Sequence, residues 1–138
     1  MVEIEKASFG RDAWRPELFL EYFRASPELF LIARIGRTIA GYSIAQTNWR
    51  GAELESIAVH PRYRGRGIAQ ALLQATIARL EGASALRLMV STANKPALRF
   101  YKNFGFIRVR KVPHYYGRGR DASRMLLKLQ PSRPQQQA

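Results

Sequence analysis

The most constraining feature of the sequence is a short segment with two glycines, placed between an apolar strand-like run and an apolar helix-like run. The segment RGRGIA, residues 64–69, follows ESIAV and precedes QALLQATIARL. Glycine is unfavourable inside a strand or a helix, so Gly65 and Gly67 indicate a backbone conformation or a close approach that only glycine allows. The segment therefore predicts a strand that passes through a tight loop directly into a helix.

The spacing of apolar residues around this loop predicts a mixed α/β fold. Helical spacing predicts two short N-terminal helices, a helix from Gly67 to a stop at Gly82, and a helix between the cap Asn94 and Phe104. Six strands are predicted in ELFLIARI, TIAGYSIAQTNW, AELESIAV, ALRLMV, FIRVRKV and ASRMLLKL. Their order predicts an α+β mixed sheet with a parallel βαβ unit at its centre.

Length and composition predict one globular domain, residues 1–129, followed by a polar tail, residues 130–138, that is expected to be disordered. The 138 residues include no cysteine and only two histidines, which excludes disulfides and thiolate metal sites and gives no reason to expect a metal. No apolar stretch approaches the roughly 20 residues of a membrane span, so we expect a soluble, cytoplasmic protein without membrane contact.

The charge of the chain is concentrated in its C-terminal half. Residues 1–56 contain seven Lys and Arg against eight Asp and Glu, whereas residues 57–138 contain sixteen against two. Such a field favours anionic partners, namely a nucleic acid, a phosphorylated cofactor or an acidic protein. A basic surface that serves only solubility is the alternative.

The position of the glycine segment predicts a phosphate-binding loop. The first amides of a helix have no intrahelical partner, and the helix dipole adds positive potential there. The glycines allow the backbone to approach an anion, while Arg62, Arg64 and Arg66 add cationic contacts. A flexible turn without a ligand is the alternative.

Three sequence blocks resemble the GNAT family of N-acetyltransferases, over roughly residues 3–129. ESIAVHPRYRGRGIAQALL resembles the coenzyme signature Arg/Gln-x-x-Gly-x-Gly/Ala, matched at Arg64, Gly67 and Ala69. LMVSTANKPALRFYKNFGF resembles the strand and helix that follow, and HYYGRGRDASRMLLKL resembles the last hairpin of RimI-like and archaeal protein N-terminal acetyltransferases. The family opens with a strand before the first helix, and this first edge strand is expected to be missing here.

The resemblance implies acetyl transfer from acetyl-CoA, as co-substrate, to a primary amine by direct attack, with a protein N-terminal α-amine as acceptor. It assigns the pantetheine arm and thioester to the backbone of residues 57–59, and the pyrophosphate to the amides of residues 64–69. The residues so assigned to acetyl-CoA are Ile57, Ala58, Val59, Arg64, Gly65, Arg66, Gly67, Ile68, Ala69 and Asn94. A lysine or small-molecule acetyltransferase, a non-catalytic acetyl-CoA-binding module and a nucleic-acid-binding module stay open.

The resemblance also assigns the proton chemistry. Tyr101 matches the family's proton donor to the leaving thiolate, with a core aromatic as the alternative. RimI-like enzymes carry a glutamate in the preceding strand, but here that position is Met89, which cannot take a proton. Glu55 is our first prediction for the base, through an ordered water, and Glu53 the second, unless both are solvated strand residues. His114 is a third.

The acceptor is expected between the loop FGRDAW and the loop PHYYGRGRD. The residues predicted to bind it are Trp14, Tyr115, Tyr116 and Asp121. The tyrosines could instead pack the hairpin, and Asp121 could pair with Arg118 or Arg124. The basic half further predicts a contact with the ribosome or another nucleic-acid partner.

Overall fold

The computed structural model describes residues 2–9, 13 and 15–130, and this part of the chain contains four α-helices and six strands. The helices are α1 (Val2–Phe9), α2 (Pro16–Ala25), α3 (Ile68–Ala78) and α4 (Lys95–Phe104). The strands are β1 (Phe30–Ile35), β2 (Thr38–Asn48), β3 (Gly51–Val59), β4 (Ala85–Ser91), β5 (Ile107–Val112) and β6 (Ala122–Lys128). The strands form one sheet in the order β1-β2-β3-β4-β6-β5. The predicted mixed α/β class is confirmed.

The chain divides into two compact units. The N-terminal unit comprises residues 1–47 and 54–79, and the C-terminal unit comprises residues 48–53 and 80–138. A single domain over residues 1–129 stays a prediction, and residues 131–138 of the expected tail lie outside the described residues. Within the described part, no helix is long and apolar enough to cross a membrane.

One core cluster of the N-terminal unit lies between helices α1 and α2 and strands β2 and β3. Ile4 of α1, Phe19 of α2 and Tyr42 of β2 are buried together with Ile44 and Ala58. The Phe19 ring meets the Tyr42 ring edge to face at a centroid distance of 5.6 Å. Pro16 stands in the first turn of α2, as predicted, because the amide it lacks has no helical partner there.

Helix α3 lies very close to the sheet of its unit because Gly41 has no side chain. A Cβ at Gly41 would lie 2.8 Å from the Ala58 carbonyl oxygen and 3.3 Å from Leu72. The helix ends at Ala78, three residues before the end predicted from Gly82. The prediction is wrong there because the Arg79 amide already bonds back to Thr76 in a tighter turn.

The C-terminal unit places β6 between β4 and β5, and both pairs are antiparallel. Helix α4 begins after Asn94, whose side-chain oxygen accepts from the Ala97 amide at 3.2 Å, and ends at Gly105 with φ of 125°. Both predicted ends of this helix are therefore confirmed. A bulge interrupts the β5–β6 register between Arg108 and Arg110.

Candidate active site

The glycine segment adopts the left-handed conformation that its composition suggested. Gly65 and Gly67 both have φ of 79°, and Gly67 is the cap residue of α3. A Cβ added at either glycine would meet nothing within 4 Å, so the space beside the loop is open. The glycines are needed for their backbone angles, which a side chain would strain.

Most amides at the start of α3 have no hydrogen-bond acceptor within the described part of the chain. The Arg64 amide bonds to the Pro61 carbonyl at 3.4 Å, and bonding resumes where the Ala71 amide donates to Gly67 at 3.0 Å. Among the described residues, the six amides from Gly65 to Gln70 donate to no protein atom. At the positive end of a helix dipole, such a row of donors is suited to an anion.

The side chain of Arg64 contacts protein rather than open space. Its Nε donates to the Val59 carbonyl at 3.0 Å, and its Nη2 donates to the Ser8 hydroxyl at 3.1 Å. The guanidinium therefore ties the end of β3 and helix α1 to the start of the loop. Sequence reasoning assigned this side chain to an anion and missed the tie, because Ser8 is 56 residues away.

The other basic side chains of the loop are differently placed. Arg62 is exposed, and the Arg66 guanidinium lies 5.4 Å from the centre of the Tyr63 ring. His60 closes the turn before the loop, because its Nδ1 accepts from the Arg62 amide at 3.0 Å. Its own amide donates to the Ala40 carbonyl at 2.7 Å, which fixes the turn to β2. This role of His60 was not predicted from the sequence.

The last residues of β3 precede this loop directly. Ala58 and Val59 are buried, and Ile57 is half-buried. Their backbone is the part of the strand that the resemblance assigns to the pantetheine arm. The Val59 carbonyl is already held by Arg64, so the strand end and the loop are fixed relative to each other.

The two predicted bases lie in different units and have different partners. Glu55 of the N-terminal unit accepts a hydrogen bond from the Gln46 side-chain amide at 2.6 Å. Glu53 of the C-terminal unit lies between two guanidiniums, with Arg124 at 2.8 Å and Arg87 at 3.5 Å. The two ion pairs hold the Glu53 side chain in place.

A third glutamate was not found by sequence reasoning. Glu5 of α1 is 1% exposed, and its carboxylate accepts hydrogen bonds from the Tyr42 hydroxyl and, at 3.2 Å, from the Ser56 hydroxyl. The available signal was its place on α1, beside the apolar Ile4 and three residues before Ser8. These bonds fix the rotation of α1 against β2 and β3.

Tyr101 is buried in the C-terminal unit between aromatic neighbours. Its ring centre lies 5.4 Å from that of Phe100 and 5.5 Å from that of Phe106. Burial raises the pKa of the phenol well above its ordinary value, and the nearby Tyr116 raises it further. Tyr101 thus keeps its proton in the ordinary pH range, which suits a donor and not a base.

Three of the four residues predicted to bind the acceptor, namely Tyr115, Tyr116 and Asp121, lie in the loop between β5 and β6. The rings of Tyr115 and Tyr116 meet edge to face at 4.9 Å. Asp121 accepts from the His114 amide at 3.0 Å and pairs with Lys111 at 3.5 Å, rather than with either arginine considered above. The His114 amide, with a smaller effect from Lys111, holds the Asp121 pKa below its ordinary value.

The remaining predicted sites are limited. Trp14 lies outside the described residues. Asn94 uses its side-chain oxygen to cap α4, and its contact with a coenzyme stays a prediction. Among the described residues, no group of three or more His, Cys, Asp or Glu side chains could hold a metal ion.

Comparison with known proteins gives a consistent result. The sequence profile of the acetyltransferase (GNAT) family matches residues 1–106. The chain is 32% identical over 119 residues to an N-alpha-acetyltransferase of Sulfurisphaera tokodaii, covering 75% of this chain and 71% of that protein. It is 34% identical over 119 residues to N-alpha-acetyltransferase RimI of Mycobacterium tuberculosis, covering 83% and 75%. The crystal structure of Ard1 from Thermoplasma volcanium superposes with a TM-score of 0.88 at 28% identity, covering 94% and 89%.

Proposed function

This chain belongs to the acetyltransferase (GNAT) family, and from that membership we propose that it transfers the acetyl group of acetyl-CoA to the α-amine at the N-terminus of a protein. The acceptor is inferred from relatives named N-alpha-acetyltransferase that are 32% and 34% identical to it over 119 residues. The enzyme class follows from the family, and the acceptor class is the finer proposal.

The observation that carries the proposal is the row of six amides from Gly65 to Gln70. They have no acceptor among the described residues, they lie at the start of α3, and the space beside the two glycines is open. A diphosphate fits such a row, since its oxygens can accept several amides at once. We therefore assign the diphosphate of coenzyme A to this loop. Acetyl-CoA, when bound, supplies the activated acetyl thioester.

Three features of the N-terminal unit would hold and aim the coenzyme. The amides of the loop bind its diphosphate, and the backbone of Ile57, Ala58 and Val59 lies along the arm that carries the thioester. Arg64 keeps these two parts in register, because its guanidinium bonds to the Val59 carbonyl and to Ser8. Its role in this scheme is that of a positioning residue.

Tyr101 is the general acid of the proposal. Its phenol carries a proton on Oη at neutral pH, as a tyrosine does at its ordinary pKa, and burial opposes its ionisation, so Oη can act as the donor to the departing sulfur. For the base we favour Glu55, acting through a water; its carboxylate accepts a hydrogen bond from the Gln46 side-chain amide. Glu53 is the second choice because its carboxylate is already engaged by Arg87 and Arg124.

We place the acceptor peptide at the loop between β5 and β6. Tyr115 and Tyr116 offer phenol groups to a peptide backbone, and Trp14 is proposed as a further contact. The carboxylate of Asp121 stays ionised at neutral pH, which suits an incoming ammonium group. We also propose a cytoplasmic location, where acetyl-CoA and new protein N-termini are both present.

The test is a donor titration followed by an acceptor screen. Thermal unfolding with and without acetyl-CoA should show a higher Tm with the coenzyme, as binding to the folded state requires. Release of free thiol is then measured with peptides bearing a free N-terminus, the same peptides blocked at the N-terminus but containing lysine, and a polyamine. The proposal expects turnover with the free N-terminus alone. Turnover only with blocked peptides or polyamine would assign a different acceptor, and a Tm shift without any turnover would indicate a non-catalytic coenzyme-binding protein.

The basic C-terminal unit favours a second partner beside the acceptor peptide. We propose that this partner is a nucleic acid, such as that of the ribosome. The exposed lysines and arginines of the C-terminal unit support it.

A further inference from the structure

The surplus of positive charge belongs mainly to one of the two units. The C-terminal unit carries thirteen Lys and Arg against three Asp and Glu, whereas the N-terminal unit carries ten against seven. Two of the three acids in the C-terminal unit are already paired: Glu53 with Arg87 and Arg124, and Asp121 with Lys111. Its exposed cations are therefore left almost without neutralising carboxylates.

Three of these cations form a stripe on helix α4. Lys95, Arg99 and Lys102 are spaced four and three residues apart, which puts them on one face of the helix. All three are exposed, while Tyr101 on the opposite side is buried. The helix rises about 1.5 Å per residue, so neighbouring charges of the stripe lie about 6 Å and about 4.5 Å apart along the helix axis.

This stripe is unfavourable for the helix that carries it. Neighbouring like charges repel each other, and Lys95 stands in a first turn that contains no acidic residue, at the positive end of the dipole. Helix α2 differs at its start, where it carries Glu17 in its first turn, whereas both helices carry a cation in the last turn, Arg24 in α2 and Lys102 in α4. A face that needed only solvation could alternate its charges as α2 does, so the stripe on α4 indicates an anionic partner.

Strand β5 adds two further cations at the edge of the sheet. Arg108 and Arg110 are exposed, and β5 is the last strand in the sheet order. The bulge between them interrupts the regular ladder, which disfavours the addition of a peptide strand at this edge. A partner that contacts charges, rather than one that extends the sheet, is the better fit.

We propose that the α4 stripe of Lys95, Arg99 and Lys102 binds the phosphate backbone of a nucleic acid, with Arg108 and Arg110 of the same unit as further phosphate contacts. One nucleic-acid strand carries a phosphate about every 3.4 Å of helix axis, so a row of three cations about 10 Å long can contact several phosphates of the same strand. Contacts of this kind position a strand without reading its sequence. The inference goes beyond acetyl transfer and does not depend on it.

The test is the salt dependence of binding by the full chain, without acetyl-CoA. Fluorescence anisotropy is measured with labelled single-stranded RNA, single-stranded DNA and polyglutamate between about 50 and 200 mM salt. The stripe variant combines Lys95→Gln, Arg99→Gln and Lys102→Gln. The matched control combines Arg24→Gln, Arg34→Gln and Arg37→Gln, which removes the same charge from exposed positions of the N-terminal unit.

We expect both nucleic acids to bind, and the stripe variant to reduce the slope of log K against log salt by about 2, since each phosphate contact on a single strand contributes about 0.7. The control should keep the wild-type slope. Equal losses in the two variants would show an effect of net charge alone and overturn the proposal. Polyglutamate binding as tightly as RNA would replace the nucleic acid with an acidic protein, and no binding at low salt would also reject it.

Folding of the stripe variant is checked by its Tm, which should be no lower than that of the wild type because repulsion along α4 is removed. If the Tm falls, the double variant Arg108→Gln and Arg110→Gln replaces it, and its slope should fall by about 1.4. An unchanged slope in that variant would also contradict the proposal.

Discussion

The two compact units prepare their functional groups in different ways. In the N-terminal unit the predicted anion site is made of backbone amides, which two left-handed glycines and the Arg64 side chain hold in place. In the C-terminal unit the predicted chemistry belongs to side chains, a phenol that burial keeps protonated and a glutamate between two guanidiniums. A backbone site depends on the conformation of the chain, whereas a side-chain site depends on single atoms.

This contrast separates binding from turnover. Changes of conformation in the glycine loop of the N-terminal unit should raise the KM or Kd for acetyl-CoA, whereas loss of the Tyr101 oxygen in the C-terminal unit, or of the Glu55 carboxylate, should lower kcat. The following substitutions test that separation, beginning with the largest expected effect.

Replacing Tyr101 with Phe removes one oxygen and keeps the ring that packs between Phe100 and Phe106. Since a general acid contributes about 10²- to 10⁴-fold, we expect kcat to fall at least about a hundredfold while KM for acetyl-CoA stays near the wild-type value. Because burial raises the Tyr101 pKa above the ordinary 10.0, the wild-type rate should show no loss near that pH from this group. Steady-state kinetics across pH check both statements.

The matched control for that variant is Tyr42→Phe. It removes the buried phenol oxygen of the N-terminal unit, which donates to Glu5, and should lower Tm without lowering kcat. A Tyr101→Phe protein with wild-type kcat would return Tyr101 to a packing role.

Replacing Gly67 with Glu should weaken acetyl-CoA binding about a hundredfold. The substitution strains a residue with φ of 79° and places a negative charge beside the amides that we assign to a diphosphate. Calorimetric titration measures the Kd. Gly36→Glu is the control, since Gly36 also has positive φ (61°) and open space, but lies in the β1–β2 turn. Equal binding by the two variants would remove the loop from the site.

Paired substitutions of the two glutamates test which one exchanges a proton. Glu55→Gln should lower kcat about tenfold and change the acidic limb of the pH–rate profile. Glu53→Gln should leave kcat near wild type but reduce stability by about 2 kcal/mol, because Arg87 and Arg124 lose the charge that they share. Denaturant unfolding and kinetics measure the two effects. The reverse pattern would transfer the role of base to Glu53.

Arg64→Lys should raise KM for acetyl-CoA about five- to tenfold, which is the smallest of the major effects. Lysine keeps the positive charge but cannot reach Val59 and Ser8 together in the way that the guanidinium does. Ser8→Ala breaks one of the two bonds and should raise KM about twofold. A lysine variant with wild-type KM would mean that charge alone matters at this position.

Local features of the fold were predictable from the sequence because their causes are local. The glycine loop, the Asn94 cap, the Gly105 stop and the turn at Gly36 each depend on the φ preference or hydrogen-bonding capacity of one residue. The end of α3 was not predictable from Gly82 alone. The tighter turn at Arg79 forms before that glycine is reached.

Features that join distant parts of the chain could not be predicted. Arg64 meets Ser8 across 56 residues, and Glu5 meets Ser56 across 51. Glu53 pairs with Arg124, which is 71 residues away in the sequence. The strand pattern made Glu53 and Glu55 look equivalent, so these ion pairs could not be predicted. The sequence therefore identified residue types able to do the chemistry, while the fold distinguished their environments.

Because Gly41 has no side chain, helix α3, which follows the glycine loop, can lie directly against β2. With the Ala58 carbonyl only 2.8 Å from where a methyl group would stand, even alanine would have to push that strand or helix outward. Substitutions at Gly41 should therefore change the affinity for acetyl-CoA, although this position contributes no polar side chain. Gly41 is thus a position at which the site could be redesigned for bulkier thioesters without changing a reactive group.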